Sequence, residues 1–272
     1  MFGKSIITPL KTELLKRPYV VGFVLAGSYV RKDVYKATEY SDMEAYIIVD
    51  DKDVTRIEKD LTAIVKKSGK VIFHYKNRWS GFSVVFENLF RLELPVVKRS
   101  DIKSVFSRPT AQPVEILIDK TNGALKTALD KRPKDLDFES IFQDIILDFW
   151  YMAIVAVQYF KKSEIWNARH VQEVVLVPLI IKLFELRDER NHLLLESNKR
   201  IEEFLGEDRL AILKNISSLY ESDQIQNSLL LVMEEFSKAA RDVSIKYGFS
   251  YRKDVEEKIK PRLKKLLNNS SE

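Results

Sequence analysis

Cysteine is absent from the 272-residue sequence, and glycine and proline are scarce, at 8 each. Without cysteine the chain has no disulfide, no thiolate metal ligand and no cysteine nucleophile, and it suits a reducing compartment. The low glycine and proline content excludes collagen-like and low-complexity disordered chains. Because 45% of the residues are apolar, the chain can bury a substantial core, and we expect one large or two modest globular domains.

Targeting and membrane-spanning patterns are also lacking. The start, Met1–Lys4, has no apolar run of the kind found in signal peptides. The longest apolar stretches, Ile145–Val157 and Val174–Ile181, are too short or too interrupted to cross a bilayer. The sequence therefore predicts a cytoplasmic protein that has no membrane partner.

Charge is distributed unevenly along the chain, whose net charge is +5. Basic residues outnumber acidic ones in residues 1–130, whereas the two are nearly balanced in residues 131–272. A basic first half suits an anionic ligand such as a nucleoside triphosphate, although charge alone more often means a solvated basic surface. No basic patch is interleaved with aromatic residues, so we expect no nucleic-acid partner.

The first half has the pattern of a mixed α/β domain. Short β-branched runs bounded by turn residues indicate strands, and an apolar stripe at helical spacing indicates each helix. The predicted strands are Tyr19–Ala26, Glu44–Val49, Lys70–Tyr75, Phe82–Phe86, Phe90–Val97 and Val114–Ile118, and the predicted helices are Ile6–Lys16 and Asp53–Lys67.

A charged, proline-containing break at Lys131–Asp135 separates this half from a helical one. We therefore predict two domains, residues 1–132 and residues 133–272. The fold class is α+β, with a mixed sheet and flanking helices in the first domain and an all-α bundle in the second. Helices are predicted at Phe138–Lys162, Asn167–Arg187, Lys199–Leu205, Asp208–Leu219, Asp223–Tyr247 and Lys253–Leu267.

Two carboxylates stand where the second predicted strand begins. Asp42 and Glu44 are two residues apart, so in a strand both side chains point to the same face. Two like charges so close favour a cation between them, and Mg²⁺ prefers one or two carboxylates together with substrate phosphates. The pair is a candidate Mg²⁺ site, although an isolated pair of this kind is more often solvated surface.

The preceding strand ends in Gly27-Ser28, which strengthens the interpretation of the acidic pair. A glycine backbone allows close approach of a phosphate, and the serine hydroxyl can donate a hydrogen bond to it. Arg31 and Lys32 follow in the loop and are candidate phosphate ligands, with a solvated loop as the alternative. Taken together, these residues predict a triphosphate site.

A third carboxylate lies on a later strand. In Phe90–Pro95 the apolar residues alternate with Arg91 and Glu93, so one face is core and the other carries the two charges. Glu93 is a candidate general base for an attacking hydroxyl or a third acid near the metal. An exposed Arg–Glu pair is the alternative.

These motifs resemble those of the polymerase-β-like nucleotidyltransferases, and within them the lincosamide nucleotidyltransferases. The metal segment Tyr40–Ile48 is similar to theirs, including a glutamate where relatives carry a second aspartate. The strand Phe86–Leu94 resembles their third-acid strand, and Asn227–Met233 resembles a late helix. Streptomycin-type aminoglycoside adenylyltransferases show a more distant likeness.

The resemblance implies a reaction in which a hydroxyl of a small antibiotic attacks the α-phosphorus of MgATP or another NTP. A helical domain closing the cleft supplies acceptor contacts, and Arg169 corresponds to a basic residue that reaches toward phosphate. A lincosamide acceptor is the first expectation and an aminoglycoside the second. Arg31-Lys32-Asp33 stands where the family carries a glycine, which leaves open a scaffold or toxin–antitoxin protein of this fold. The sequence leaves a homodimer open.

Overall fold

The computed structural model describes residues 2–32, 36–77, 81–107, 113–132, 137–189, 201–217 and 221–268. The chain forms two compact units, Met1–Lys134 and Asp135–Glu272. The first contains a sheet with flanking helices, and the described part of the second is helical. This arrangement confirms the predicted α+β fold class.

A six-stranded mixed sheet organises the first unit. Its strands follow the order β3-β4-β5-β2-β1-β6. Only the central β2–β5 pair among these described strands is parallel, and every other neighbour is antiparallel. The strands are β1 (Val20–Ala26), β2 (Met43–Val49), β3 (Val71–Lys76), β4 (Gly81–Phe86), β5 (Arg91–Lys98) and β6 (Val114–Asp119).

One face of this sheet is buried beneath two helices, α1 (Phe2–Leu15) and α2 (Val54–Lys66). Leu10 of α1 and Leu61 of α2 are fully buried against strand residues such as Ile47. The stripe on α2 recurs every three to four residues, which is why one side of the helix faces the sheet. We call this side of the sheet the core face.

The opposite side of the sheet is partly covered by two short helices, α3 (Ile102–Phe106) and α4 (Ala124–Asp130). Phe106 and Leu125 pack there against Val24 and Ile48 in a second, smaller cluster. Neither helix is predicted from the sequence, because five and seven residues are too few to show a periodic apolar stripe. We call this side the open face.

The described helices of the second unit surround a large apolar core. They are α5 (Phe138–Lys161), α6 (Ile165–Val171), α7 (Val177–Arg187), α8 (Ile201–Phe204), α9 (Glu207–Ile216), α10 (Ser222–Tyr247) and α11 (Lys253–Asn268). Phe149 stacks on Phe236 with ring centroids 3.5 Å apart, and Trp150 meets Phe236 edge-on. Trp150 is therefore a core residue, as is usual for tryptophan.

A π-helical segment, Gln172–Leu176, joins α6 to α7, where the sequence predicts one regular helix. Gln172 is fully buried there, and its amide donates to the carbonyl oxygen of Ile216 at 2.7 Å and to the hydroxyl of Ser228. A wider turn of this kind occurs mostly as a local insertion in an α-helix. In this segment the buried Gln172 amide faces polar partners on α9 and α10.

Among the described residues, α5 is the one helix long and apolar enough to cross a membrane. Phe142, Ile146, Phe149 and Ala153 along it are buried in the core of the second unit. The core helix of a globular protein has the same length and composition, so α5 is weak evidence for a membrane span.

Candidate active site

The Gly27-Ser28 motif forms a tight 3₁₀ turn, Gly27–Tyr29, directly after β1. Gly27 has a φ of +69°, a left-handed conformation that favours glycine. Its carbonyl oxygen accepts the N–H of Val30 at 3.0 Å, and its own N–H donates to Pro113 at 3.1 Å. Among the described residues, apart from its chain neighbours, no atom lies within 4 Å of where a Cβ on Gly27 would stand.

Asp42 lies beside this turn, just before β2 begins. Ala26 pairs with Glu44 across the antiparallel β1–β2 ladder, so the residues beyond each strand end lie side by side. Burial raises the pKa of the Tyr29 hydroxyl, and the nearby negative charge of Asp42 raises it further. The sheet thus brings the Gly27–Tyr29 turn and the first carboxylate together, as the sequence predicts.

Glu44 and Glu93 are direct neighbours across the parallel β2–β5 pair. Paired residues on neighbouring strands point to the same side of a sheet, and the strands lie about 4.8 Å apart. Both glutamates are half-buried on the open face, whereas their chain neighbours Met43, Leu92 and Leu94 are buried on the core face. Two carboxylates therefore face the same space, in an arrangement that a cation stabilises.

Three neighbouring side chains orient these carboxylates. The Tyr46 hydroxyl donates to Glu44 Oε1 at 2.6 Å. The Ser83 hydroxyl and the Asn77 amide both donate to Glu93 Oε2, at 2.6 and 3.2 Å. Each glutamate is thus held through one of its two carboxylate oxygens.

Tyr46 is a stable hydrogen-bond donor in this arrangement. Burial raises the pKa of its hydroxyl far above the ordinary value, and the hydrogen bond and negative charge of Glu44 raise it further. The phenol therefore keeps its proton at neutral pH. A donor that keeps its proton fixes one oxygen of Glu44.

Arg91 lies on the same face and pairs with Asp42, with Nη2 3.4 Å from Oδ2. Both side chains are at least half exposed, at 60% and 50%, so the pair contributes little to stability. Arg91 therefore pairs with Asp42 and not with Glu93, the partner in the alternative considered for this strand, and Glu93 faces Glu44 instead. Arg91 supplies positive charge at the edge of the acidic site.

Asp42 and Glu44 fit a magnesium ion whose remaining ligands are supplied by a substrate and by water. Within the described ranges, no three His, Cys, Asp or Glu side chains lie close enough to form a complete protein metal site. Mg²⁺ is commonly held by one or two carboxylates, with phosphate oxygens and waters completing the shell. Asp42 and Glu44 supply hard oxygen donors of this type beside the Gly27–Tyr29 turn.

The candidate basic ligands fall in two different places. Arg31 is half-buried and Lys32 exposed at the end of the Gly27–Tyr29 turn, and residues 33–35 lie outside the described part of the chain. Arg169 belongs to the second unit, in α6. There it lines an open pocket of about 190 Å³ whose other lining residues are Trp166, His170, Glu173 and Val174.

Tyr46, Ser83 and Asn77 are the site residues that sequence analysis misses. Tyr46 has a usable signal, because it is two residues beyond Glu44 and shares its face. Ser83 is a polar residue in an otherwise apolar strand, which is a weaker signal. Asn77 lies just past β3, and only the strand pairing brings it to Glu93.

An acidic pair beside a glycine–serine turn, with a third acid on the neighbouring strand, characterises the nucleotidyltransferase class. The family model described as streptomycin adenylyltransferase matches residues 16–266, which is most of the chain. The chain therefore belongs to this family. This confirms the resemblance to the nucleotidyltransferase superfamily and the prediction of an enzyme.

Comparison with solved structures finds a similarity to an aminoglycoside 6-adenyltransferase from Bacillus subtilis. The two share 15% sequence identity with a TM-score of 0.45, over 97% of this chain and 98% of the other. No curated protein matches the sequence.

Proposed function

We propose that this enzyme transfers AMP from ATP to a hydroxyl group of a small antibiotic in a reaction that requires Mg²⁺. The observation that carries the proposal is the pairing of Glu44 with Glu93 on the open face, beside the Gly27–Tyr29 turn. Family membership supports the class of reaction. Adenylyl transfer depends mainly on positioning and charge neutralisation, which such a site can provide.

Each residue of the first unit has a proposed role. Gly27 and Ser28 bind the triphosphate through the open backbone and the hydroxyl. Asp42 and Glu44 hold Mg²⁺, which neutralises charge on the phosphate oxygens when bound. Glu93 accepts the proton of the acceptor hydroxyl while that oxygen bonds to the α-phosphorus. The bond from the α-phosphorus to the bridging oxygen breaks, and pyrophosphate leaves with its electron pair.

Arg31 and Lys32 are proposed to bind the outer phosphates, because they follow the Gly27–Tyr29 turn. Arg169 is proposed as a further phosphate ligand on the strength of the family resemblance. Its position in a pocket with an exposed tryptophan, Trp166, agrees with ligand binding. Arginine forms two parallel hydrogen bonds to phosphate, which suits this role.

The acceptor has two candidates that use the same chemistry. A lincosamide is supported by the resemblance to lincosamide nucleotidyltransferases in the segments Tyr40–Ile48, Phe86–Leu94 and Asn227–Met233. It is also supported by the net charge of +5, which disfavours a polycationic ligand. The description of the family supports an aminoglycoside instead. A binding-only scaffold is the third possibility, and it predicts no transfer at all. ATP as the donor and the absence of cysteine agree with a cytoplasmic reaction.

A transfer assay with purified protein tests the proposal. The enzyme is incubated with Mg²⁺ and each of four NTPs together with lincomycin, clindamycin or streptomycin, and nucleotide adducts are measured by mass spectrometry. We expect AMP transfer to one of these acceptors. A protein that binds MgATP but forms no adduct would support the scaffold interpretation.

Two variants with a matched control connect the activity to the site. Asp42→Ala is expected to remove Mg²⁺-dependent ATP binding. Glu93→Gln is expected to retain that binding and to lower kcat on the order of 100-fold or more, since a general base contributes this much. Glu87→Gln is the control, because Glu87 is an exposed glutamate at the turn before β5. Equal activity in Glu93→Gln and Glu87→Gln would contradict the role of Glu93.

A further inference from the structure

Two aromatic side chains are exposed on β3, one of the two edge strands of the sheet. Phe73 and Tyr75 are 51% and 53% exposed. Their rings lie side by side, with centroids 6.4 Å apart and planes tilted by 32°. Single exposed apolar residues are common on proteins, but a pair that presents one continuous surface suggests a binding role.

Strand register places these rings on the open face, in line with the catalytic carboxylates. Tyr75 pairs with Ser83 on β4, and Ser83 pairs with Glu93 on β5. Residues paired in this way share one side of the sheet, so Tyr75, Ser83, Glu93 and Glu44 form a single row. Two strand spacings separate the backbones of Tyr75 and Glu93, or roughly 10 Å.

A second row widens this surface. Phe73 pairs with Val85, which is half-buried and pairs in turn with Arg91. We call Phe73, Tyr75 and Val85 the aromatic shelf. Two alternate side chains of β3 face α2 instead, since Lys76 pairs with Glu58 at 2.6 Å and the His74 ring hydrogen-bonds to Thr62 at 2.8 Å.

The order of the strands places the proposed triphosphate site and the aromatic shelf on opposite sides of Glu93. The Gly27–Tyr29 turn follows β1 and lies beside the start of β2, on one side of Glu93. The aromatic shelf is on β3 and β4, on the other side. In-line transfer requires the attacking hydroxyl and the departing pyrophosphate to lie on opposite sides of the α-phosphorus, and this placement provides such an arrangement.

We propose that the aromatic shelf binds the acceptor and directs its hydroxyl to Glu93; this rests on the proposed transferase function. The acceptor has an apolar ring or alkyl side, which lies against Phe73 and Tyr75, and a hydroxyl end about 10 Å away. The shelf residues carry no acid, so the surface selects for apolar contact area rather than for multiple positive charges. Phe73 and Tyr75 are specificity-determining and positioning residues, since neither touches the reacting atoms.

The test combines acceptor kinetics with direct binding. Phe73→Ala, Tyr75→Ala and Tyr75→Phe are compared with Lys76→Ala, a control on the same strand that faces α2. We expect each alanine variant of the shelf to raise the acceptor KM about tenfold, as for the loss of one aromatic contact. The KM for ATP is expected to be unchanged, and Tyr75→Phe and Lys76→Ala to behave as wild type. Thermal melts verify that each variant is folded.

Acceptor binding is also measured directly, by calorimetric titration with clindamycin and with streptomycin in the presence of Mg²⁺ and a non-hydrolysable ATP analogue. Because binding does not require transfer, this measurement separates the shelf proposal from the transferase function. Binding of clindamycin that weakens in Tyr75→Ala supports the shelf, even if wild type forms no adduct and the transferase proposal fails. Transfer with an unchanged acceptor KM in both alanine variants overturns the shelf alone. A change confined to oligomeric state or melting temperature also overturns it, as does a wild-type protein that binds neither probe.

Discussion

Gly27 has a left-handed backbone, and no described residue beyond its chain neighbours approaches the position that a Cβ would take, so a substitution there tests conformation. We predict that Gly27→Ala lowers the free energy of unfolding by about 1–2 kcal/mol, the cost of a left-handed conformation for an ordinary residue. Denaturant unfolding measures this loss. Gly27→Asn is the comparison, because asparagine tolerates that conformation, and an equal loss in both variants would contradict the explanation.

Substitution of Tyr46 tests whether the orientation of Glu44 affects the binding of MgATP. Tyr46→Phe removes one hydroxyl and leaves Glu44 without its donor. We predict that the Kd for MgATP rises about threefold to tenfold, since one such hydrogen bond contributes about 1 kcal/mol. Isothermal titration with Mg²⁺ and a non-hydrolysable ATP analogue measures it.

The control for this change is Tyr19→Phe. Tyr19 makes the same kind of bond to Asp60, on the core face, and its pKa is raised to about 12, first by burial and then by that bond. We expect MgATP binding to be unaffected by Tyr19→Phe. A similar loss in both variants would assign the effect to general destabilisation rather than to Glu44.

Single residues also show what sequence can and cannot predict about the site. Asp42 and Glu44 are identifiable because their spacing at the start of one strand places them on one face, and Glu93 because it alternates with apolar residues on its own strand. Their placement opposite one another is not identifiable, because it depends on a parallel pairing between strands about 50 residues apart in sequence. The donors Ser83, on β4, and Asn77, just after β3, are missed for the same reason, because only strand pairing brings them to Glu93.

At the scale of elements, a buried polar network connects α10 to α11 in the second unit. Glu256 accepts the Tyr251 hydroxyl at 2.6 Å and the Lys260 ammonium at 3.3 Å. Burial works to raise the pKa of Glu256, but the Ser237 and Tyr251 hydroxyls and the Lys260 charge together hold it below its ordinary value of 4.5. The carboxylate is thus stabilised in its charged form.

This network makes stability depend on pH. Because the folded-state pKa is lowered, the contribution of Glu256 is complete above about pH 4.5 and is lost as the pH falls through the folded-state value. We predict that Glu256→Gln lowers the free energy of unfolding by about 1–3 kcal/mol at pH 7. The difference from wild type should shrink below pH 4.5, as measured by urea unfolding at several pH values. A difference that grows on acidification would contradict the sign of the shift.

The elements themselves differ in how well a sequence predicts them. The six strands and helices α2, α5, α10 and α11 are predicted to within about one residue, because each is long enough to show its period. Helix α1 begins at Phe2 rather than at the predicted Ile6, because Gly3, Lys4 and Ser5 interrupt the apolar pattern there. Helix α9 ends at Ile216, and the predicted ends Leu219 and Lys199 lie outside the described residues. Helices α3 and α4 are missed because they are short. The π-helical Gln172–Leu176 segment is missed because its cause is tertiary: a buried amide bonds to Ile216 and Ser228, which are far away in sequence.

At the scale of the whole molecule, the first unit has a core made of its own residues, with apolar clusters on both faces of the sheet. We predict that residues 1–132 fold when expressed alone, which would also test the domain boundary proposed from the sequence. A cooperative thermal melt by circular dichroism would support this. A non-cooperative melt with exposed apolar surface would show that this part of the chain depends on the rest.

The central place of β2 in the sheet links the proposed metal site to folding. β2 is hydrogen-bonded on both sides, to β1 and to β5, so its amide protons exchange with solvent only when the sheet itself opens. Glu44, a proposed metal ligand, therefore lies on a segment expected to be among the slowest to exchange, unlike site residues carried by mobile loops. Activity in increasing denaturant should then persist until the first unit unfolds as a whole, rather than fade in advance of it.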